Sequence, residues 1–276
     1  MKHLIPLTRS LLVIALFIVT GIPAAAQYHV TTEDVWCQRD SLRIYGKLYR
    51  PEGLSGLLPL VVIAHGFGAS HEFGRPYAEA LAAEGYMCYC FDFCGGGNHS
   101  RSDGKTTQMS VFTERDDLTA VLTQMRRHTD VDTTRVVLLG ESQGGMVSAM
   151  TTAARPELVE RIILFYPAFC IPDDSRRRFP VRADLPDEGE LWGMRLGRVY
   201  CEGLFDYDVY ADIARFTKPV LLLHGDRDEI VPIIYADRAA ATYHDVEYHV
   251  INGSGHGFHG PHRQQAIKAV VSFLRQ

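Results

Sequence analysis

Apolar runs alternate with amphipathic stretches along most of this chain. The runs with β-strand character are 35–51, which we predict as an antiparallel pair, and 59–66, 85–93, 135–142, 161–167, 218–226 and 246–256. The stretches with helical spacing are 74–84, 110–128 with Ser110 as its N-cap, 143–154, 232–243 and 262–275. This alternation predicts an α/β fold with a mostly parallel sheet and helices on both of its faces.

One stretch, residues 168–215, breaks this rhythm. It is rich in Arg, Asp, Pro and Gly and lies between two apolar strands. Its length of about 48 residues is too short for an independent hydrophobic core of normal size. We therefore predict a single domain over 27–276, in which 168–215 forms a small cap insertion over one end of the sheet.

The first 26 residues have the pattern of a secretory signal peptide. Lys2 and Arg9 precede a short apolar run at 11–21, and Ala24 to Ala26 form a small-residue cleavage site. The run is shorter than the roughly 20 residues that a membrane-spanning helix needs. We expect cleavage after residue 26, no stable membrane insertion afterwards, and a secreted or periplasmic protein.

Composition narrows the class of protein further. The 276 residues are 46% hydrophobic and 22% charged with a formal net charge of −5, which is typical of a globular protein and not of a disordered or collagen-like chain. The acidic balance and the lack of a long basic stretch argue against nucleic acid as a partner. Export would permit disulfides, but we expect the cysteines to be buried small apolar residues. Pairing that involves Cys37, Cys170 or Cys201 stays open.

The most informative motif is Gly140-Glu141-Ser142-Gln143-Gly144, between a predicted buried strand and a predicted helix. This G-x-S-x-G pattern is a nucleophile elbow, in which the serine sits on a strained strand-to-helix turn. Such a turn needs neighbours without side chains so that the hydroxyl stands clear. We therefore predict Ser142 as a nucleophile.

A serine hydroxyl needs a base to take its proton, and His256 is our candidate. It lies among glycines in Gly253-Ser254-Gly255-His256-Gly257, after the last predicted strand. His259 and His262 share an H-x-x-H-x-x-H spacing with it, but a loop fixes no common face for a metal and no further ligands lie nearby. The third member of a triad orients the imidazole. The candidates are three carboxylates after the strand that ends near residue 226, those of Asp226, Asp228 and Glu229.

Backbone N–H groups would stabilise the charge that develops on a substrate carbonyl oxygen. His65-Gly66-Phe67-Gly68 follows an early apolar strand, where the N–H of Phe67 could point into the site. The second donor would be the N–H of Gln143, which follows the nucleophile. This chemistry requires no metal and no cofactor.

These motifs together make the chain resemble an α/β-hydrolase over its whole length after residue 26. The resemblance rests on HGFG (65–68), GESQGG (140–145), HGDRDEIVP (224–232) and GSGHGF (253–258). It implies Asp228 as the triad acid, because Asp228 matches the G-x-x-D-x-x-V-P pattern, and Asp226 is then a turn-former. The chain order Ser142, Asp228, His256 is that of α/β-hydrolases.

Within that superfamily the chain is most similar to bacterial feruloyl (cinnamoyl) esterases, through FDFCGGGNHSRSDGKT (91–106), RFTKPVLLLHGDRD (215–228) and the length of the insertion. In that family cap residues hold the phenolic end of a hydroxycinnamate, which implies Asp174 and Tyr200 as substrate-binding residues here. Asp173 is an alternative to Asp174, and an ordinary surface role for these residues stays open. We interpret Arg176 to Arg178 as a solvated charge run.

The leading hypothesis is a serine carboxylesterase that hydrolyses hydroxycinnamate esters from plant cell-wall polysaccharide fragments. Its substrate would be a small-molecule or oligosaccharide ester. Alternatives with the same triad are a general acyl esterase, an acetylxylan-type deacetylase, a thioesterase or a serine peptidase. A non-catalytic binding protein would share the fold but would not need an intact triad. The sequence leaves open whether two copies form a homodimer.

Overall fold

The computed structural model describes residues 27–276, so the predicted signal peptide lies outside the described residues. The main feature is an eight-stranded sheet. Its strands are β1 (Val30–Arg39), β2 (Leu42–Pro51), β3 (Leu58–Ala64), β4 (Met87–Phe91), β5 (Val131–Glu141), β6 (Arg161–Phe165), β9 (Val220–Gly225) and β10 (Val246–Ile251). A separate two-stranded hairpin consists of β7 (Glu188–Leu191) and β8 (Met194–Gly197).

The strand order in the main sheet is β1-β2-β4-β3-β5-β6-β9-β10. Strand β2 pairs antiparallel with β1 and with β4, and every other pair is parallel. The predicted antiparallel pair and mostly parallel sheet are thus confirmed. Because the carboxyl ends of parallel strands lie at one edge of the sheet, the loops after β3, β5, β9 and β10 converge there.

Helices cover both faces of this sheet, as predicted. The larger helices are α1 (Arg75–Ala83), α2 (Val111–Met125), α3 (Ser142–Ala154), α7 (Ile234–Thr242) and α8 (Gly260–Leu274). Alternate side chains of β3 show the division: Val62 packs in the cluster that includes α2 and α3, while Val61 and Ile63 pack with α1 and α8. Ser110 caps α2 by accepting a hydrogen bond from the Thr113 N–H with its side chain.

Between β6 and β9 the chain leaves the sheet and forms local structure of its own. This segment contains α4 (Ile171–Arg178), the β7–β8 hairpin, α5 (Val199–Glu202) and α6 (Val209–Ile213). Met194, Leu196 and Tyr200 form a small apolar cluster with Met109, against which Phe67 packs. The segment therefore lies over the loop that follows β3, and we refer to residues 166–219 as the cap.

Two further observations concern the cysteines and the helices. Within residues 27–276 all six cysteines are unpaired, and all are buried except Cys201, which is partly exposed. Across the same residues, no helix combines the length and the apolar character that crossing a membrane requires.

Candidate active site

Ser142 lies at the junction of β5 and α3, and its backbone is strained. Its φ of 48° is in the left-handed region that non-glycine residues seldom adopt. The flanking glycines are required by close backbone contacts: a Cβ on Gly140 would lie 2.4 Å from the carbonyl oxygen of Gly144, and one on Gly144 would lie 2.3 Å from the carbonyl oxygen of His65. The local geometry is therefore that of a nucleophile elbow.

His256 and Asp228 complete a hydrogen-bonded relay with Ser142. The Ser142 Oγ lies 2.9 Å from Nε2 of His256, and Nδ1 of His256 lies 2.8 Å from Oδ2 of Asp228. With Nδ1–H donating to the carboxylate, Nε2 is left to accept the Ser142 proton. Loops after β5, β9 and β10 bring these three residues together, although up to 114 positions of sequence separate them.

Asp228 is held as a carboxylate in a buried position. Its Oδ1 accepts hydrogen bonds from the N–H groups of Ile230 (3.0 Å) and Val231 (2.8 Å). Burial opposes ionisation, but the hydrogen bonds from His256 and Val231 and the charges of His256 and His224 outweigh it. The pKa of Asp228 is therefore below its ordinary value.

The other acidic candidate at the same loop, Asp226, has a different partner. Its Oδ1 accepts a hydrogen bond from the N–H of Gly253 at 2.6 Å, which ties the turn after β9 to the loop that carries His256. The geometry thus separates the two aspartates into one that faces the histidine and one that holds the loops together.

Phe67 and Gln143 line the same cavity as the Ser142 nucleophile. Gly66 passes so close to Ser142 that a Cβ on it would be 3.0 Å from the Ser142 Cβ, so the loop after β3 lies beside the hydroxyl. The N–H of Gln143 belongs to the first turn of α3, where no intrahelical acceptor exists. Among residues 27–276 the N–H of Phe67 has no hydrogen-bond acceptor either. Both groups are free to bind an oxyanion.

A cavity of about 170 Å³ opens from Ser142 between the sheet edge and the cap. Asp174 and Tyr200 both line it, together with Phe67 and the exposed Trp192 at the tip of the cap hairpin. The rings of Phe67 and Trp192 meet edge-to-face at 5.6 Å. Aromatic walls of this kind suit a flat, largely apolar group.

The two cap residues are already engaged with protein partners. Asp174 forms an ion pair with Arg177 at 2.7 Å. Burial raises the pKa of Tyr200, so its hydroxyl stays protonated, and it donates to the Gln143 side-chain oxygen at 2.8 Å. Asp173 is not among the cavity residues; it pairs with Arg176 and accepts from the Tyr235 hydroxyl.

Sequence reasoning missed two buried carboxyl groups beside the elbow. Glu114 of α2 accepts from the Gln143 side-chain N–H at 2.8 Å, and burial raises its pKa well above the ordinary value. Glu141 accepts from the Gly66 N–H at 3.1 Å and from the Tyr166 hydroxyl at 2.7 Å. Glu141 stands inside the G-x-S-x-G motif, so its position was visible in the sequence, but its partners depend on the fold.

The three histidines with regular spacing do not act together. His256 faces Ser142, whereas His259 is the N-cap residue of α8 and its Nδ1 lies 3.4 Å from Arg263. Within the described chain, 27–276, no group of three His, Cys, Asp or Glu side chains is arranged to hold a metal ion.

The sheet topology and the Ser–His–Asp relay define an α/β-hydrolase with a serine nucleophile. The sequence profile of the family described as serine aminopeptidase, S33, matches residues 58–200, just over half of the chain. The chain therefore belongs to this family.

Two curated proteins and one solved structure illustrate what this chain is similar to. The chain is 26% identical to an uncharacterised protein of Mycobacterium tuberculosis, over 85% of this chain and 76% of that protein. It is 24% identical to a putative esterase/lipase of Haemophilus influenzae, over 79% and 84% of the two chains. The structure of Est1E from Butyrivibrio proteoclasticus with bound ferulic acid superposes with a TM-score of 0.80 at 25% identity, covering 87% of this chain and 98% of Est1E.

Proposed function

We propose that this protein is a serine carboxylesterase that cleaves hydroxycinnamate esters of the feruloyl type. One observation carries the proposal: the cavity runs from the Ser142 hydroxyl to the cap between aromatic walls, and a carboxylate and a phenol, those of Asp174 and Tyr200, stand among its lining residues. The fold similarity to Est1E, whose structure holds ferulic acid, supports the same substrate class.

The proposed reaction follows from the relay. Ser142 Oγ attacks the ester carbonyl while His256 Nε2 takes its proton, and Asp228 stabilises the imidazolium that forms. The N–H groups of Phe67 and Gln143 hold the oxyanion of the tetrahedral intermediate. The alcohol leaves with the proton from His256, and water then hydrolyses the acyl-enzyme through the same groups.

A second candidate, a general acyl esterase, is favoured by the engagement of the cap residues. Asp174 is paired with Arg177 through one carboxylate oxygen, and the Tyr200 hydroxyl donates its proton to Gln143, so both groups already have protein partners in this structure. An enzyme that keeps these two pairings when substrate binds would recognise the flat shape of an aromatic acyl group but would not bind its phenolic hydroxyl. Acetylated xylan, thioesters and peptides are further acyl donors for the same triad.

A substrate panel separates these functions. We expect kcat/KM for methyl ferulate to exceed that for methyl cinnamate at least about tenfold, since a hydrogen-bonded hydroxyl is worth that much or more. p-Nitrophenyl acetate, acetylated xylan fragments and a peptide anilide complete the panel. Equal rates with ferulate and cinnamate would support the general esterase, and preferred cleavage of the anilide would support a peptidase.

Two neighbouring carboxylates provide a matched pair for the same panel. Asp174→Asn should lower the ferulate-to-cinnamate ratio, because Asp174 lines the cavity. Asp173→Asn should leave the ratio unchanged, because Asp173 faces Arg176 and Tyr235 instead. In the Ser142→Ala variant turnover of every ester should be lost while the protein stays folded; activity that survives would exclude Ser142 as the nucleophile.

We also propose that the enzyme is exported. The charged start, the apolar run at 11–21 and the Ala24–Ala26 site support cleavage after residue 26. Sequencing the N-terminus of the protein recovered from the periplasm or medium tests this, with Gln27 as the expected first residue. An intact Met1 on the mature enzyme would contradict it.

A further inference from the structure

Glu141 connects the parts of the candidate site that must act together. It is the last residue of β5, directly before Ser142, and its side chain is buried. Oε1 accepts from the N–H of Gly66, which precedes the oxyanion candidate Phe67, and Oε2 accepts from the hydroxyl of Tyr166. One carboxylate thus binds both the loop after β3 and the end of β6.

The link continues from Tyr166 to the catalytic base. The ring of Tyr166 meets the ring of His256 edge-to-face, with centroids 4.7 Å apart. Tyr166 has a strained φ of 37°, and its N–H donates to the Leu223 carbonyl at 2.7 Å, so its backbone is fixed. The position of the Tyr166 ring against His256 is therefore set from one side by this backbone and from the other by Glu141.

The charge on Glu141 depends on its burial and on its neighbours. Burial raises the pKa of Glu141 to about 7, although the hydrogen bonds from Tyr166 and Gly66 and the charge of His256 act in the opposite direction. The titratable groups that act on it are Tyr166 from the end of β6, Tyr77 from α1 and His256 from the loop after β10. Behind these, Arg263 of α8 acts on Tyr77, and Asp228 pairs with His256.

We infer that Glu141 is a positioning residue for the Ser142 reaction. Its negative charge favours the imidazolium that forms at His256, and its Oε1 holds the loop after β3, which carries the Phe67 N–H. This inference rests on the proposed esterase chemistry of Ser142. When the Ser142 proton moves to His256 Nε2, the ring becomes positive, and a buried carboxylate close to it stabilises that state more than it stabilises the neutral ring. Full activity then requires both a neutral His256 and an ionised Glu141.

The acidic limb of the pH profile distinguishes this role from a purely structural one. In the wild-type enzyme the charges of two groups affect the rate, so log kcat/KM for p-nitrophenyl acetate should rise with a slope greater than one over the pH range in which Glu141 ionises. Glu141→Gln keeps the side-chain shape but removes the charge. We expect the slope to fall to one and the plateau to drop about tenfold, the effect of one pKa unit of lost interaction.

Tyr166→Phe gives a shift in a defined direction. It keeps the ring against His256 but removes the hydroxyl that favours the ionised form of Glu141. The acidic limb should therefore move to higher pH in this variant. Glu157→Gln is the matched control, because Glu157 is exposed and pairs with Arg155, far along the chain from the elbow; its profile should match that of the wild type.

The outcomes separate this inference from the proposed function. A Glu141→Gln variant that loses the same factor at every pH, with the wild-type slope already one, would overturn the role of Glu141 alone. Activity that persists in Ser142→Ala, or a fluorophosphonate that does not label Ser142 in the wild-type protein, would overturn the nucleophile and with it this inference. Using p-nitrophenyl acetate keeps both tests independent of whether hydroxycinnamates are the preferred esters.

Discussion

The nucleophile elbow and the cap face each other across one cavity, but they are held by different interactions. The elbow depends on backbone packing: Gly140 and Gly144 lie so close to neighbouring backbone atoms that no side chain fits. The cap depends on arginine side chains that reach backbone carbonyls, as Arg176 does at Leu204 and Phe205 and Arg178 does at Glu190. A site with fixed chemistry and adaptable specificity needs this combination, because close packing allows one geometry and partly exposed polar contacts allow several.

The elbow can be tested by adding a single methyl group. Gly144→Ala would place a Cβ 2.3 Å from the His65 carbonyl oxygen and 2.6 Å from that of Ala64. Because backbone atoms must move to relieve this contact, we expect a loss of about 3 kcal/mol or more in the free energy of unfolding and a loss of esterase activity. Urea denaturation followed by circular dichroism measures the first, and p-nitrophenyl acetate hydrolysis the second.

A glycine in the cap hairpin is the matched control. A Cβ on Gly189 would have no neighbour within 4 Å, and its backbone is compatible with alanine. Gly189→Ala should therefore change the free energy of unfolding by less than about 0.5 kcal/mol. If the two variants lost equal stability, the contrast between a backbone-packed elbow and an open cap would be wrong.

The same contrast explains what the sequence could predict. Residues 135–142 and 143–154 combine an apolar strand, a G-x-S-x-G turn and a helix, and each feature depends on local sequence, so the elbow was predictable. The cap was predictable only as a break in the rhythm of the chain. Its helices are short and its contacts join distant positions, as between Arg176 and Leu204. Periodicity carries no information about such contacts.

Side-chain partners within the site show the same limit. The family resemblance implied Tyr200 as a candidate for binding a phenol, but its hydroxyl donates to Gln143. The sequence displayed Glu141 inside its strongest motif, yet gave no sign that Gly66 and Tyr166 would bind it. Hydrogen bonds between residues of different strands follow from the strand order β3-β5-β6, which the linear pattern does not specify.

The buried carboxyl of Glu141 should make the elbow less stable as pH rises. Burial raises the pKa of Glu141 from 4.5 to about 7, so the folded state binds this proton more tightly than the unfolded state does. Stability from this group is complete below about pH 4.5 and is lost as pH rises through 7. Glu141→Gln removes this dependence and should gain about 2–3 kcal/mol on the wild type between pH 5 and pH 8.

Free energies of unfolding at the two pH values measure this difference. Glu157→Gln is again the control, because an exposed carboxylate should give no such change between pH 5 and pH 8. A Glu141→Gln variant with the same pH dependence as the wild type would show that Glu141 does not titrate in this range. A variant that is more stable but less active at pH 8 would show that this carboxylate is kept at a cost to stability.

The smallest effect is expected in the cap, where two adjacent arginines differ in their contacts. Arg176 donates to the carbonyls of Leu204 and Phe205 and pairs with Asp173, so it joins α4 to the segment before α6. Arg177 is more exposed and forms an ion pair with Asp174. Arg176→Ala should cost about 1 kcal/mol of unfolding free energy, since it leaves two carbonyls without a charged donor.

Arg177→Ala, in contrast, should leave the denaturation midpoint unchanged, because exposed ion pairs contribute little. The two variants should also differ in catalysis. A loosened α4 in Arg176→Ala should raise KM for methyl ferulate, which contacts the cap under the proposed function, while kcat for the smaller p-nitrophenyl acetate stays at the wild-type value. Equal effects of the two substitutions on stability and on KM would mean that the cap does not depend on arginine-to-carbonyl contacts, and that its contrast with the elbow lies elsewhere.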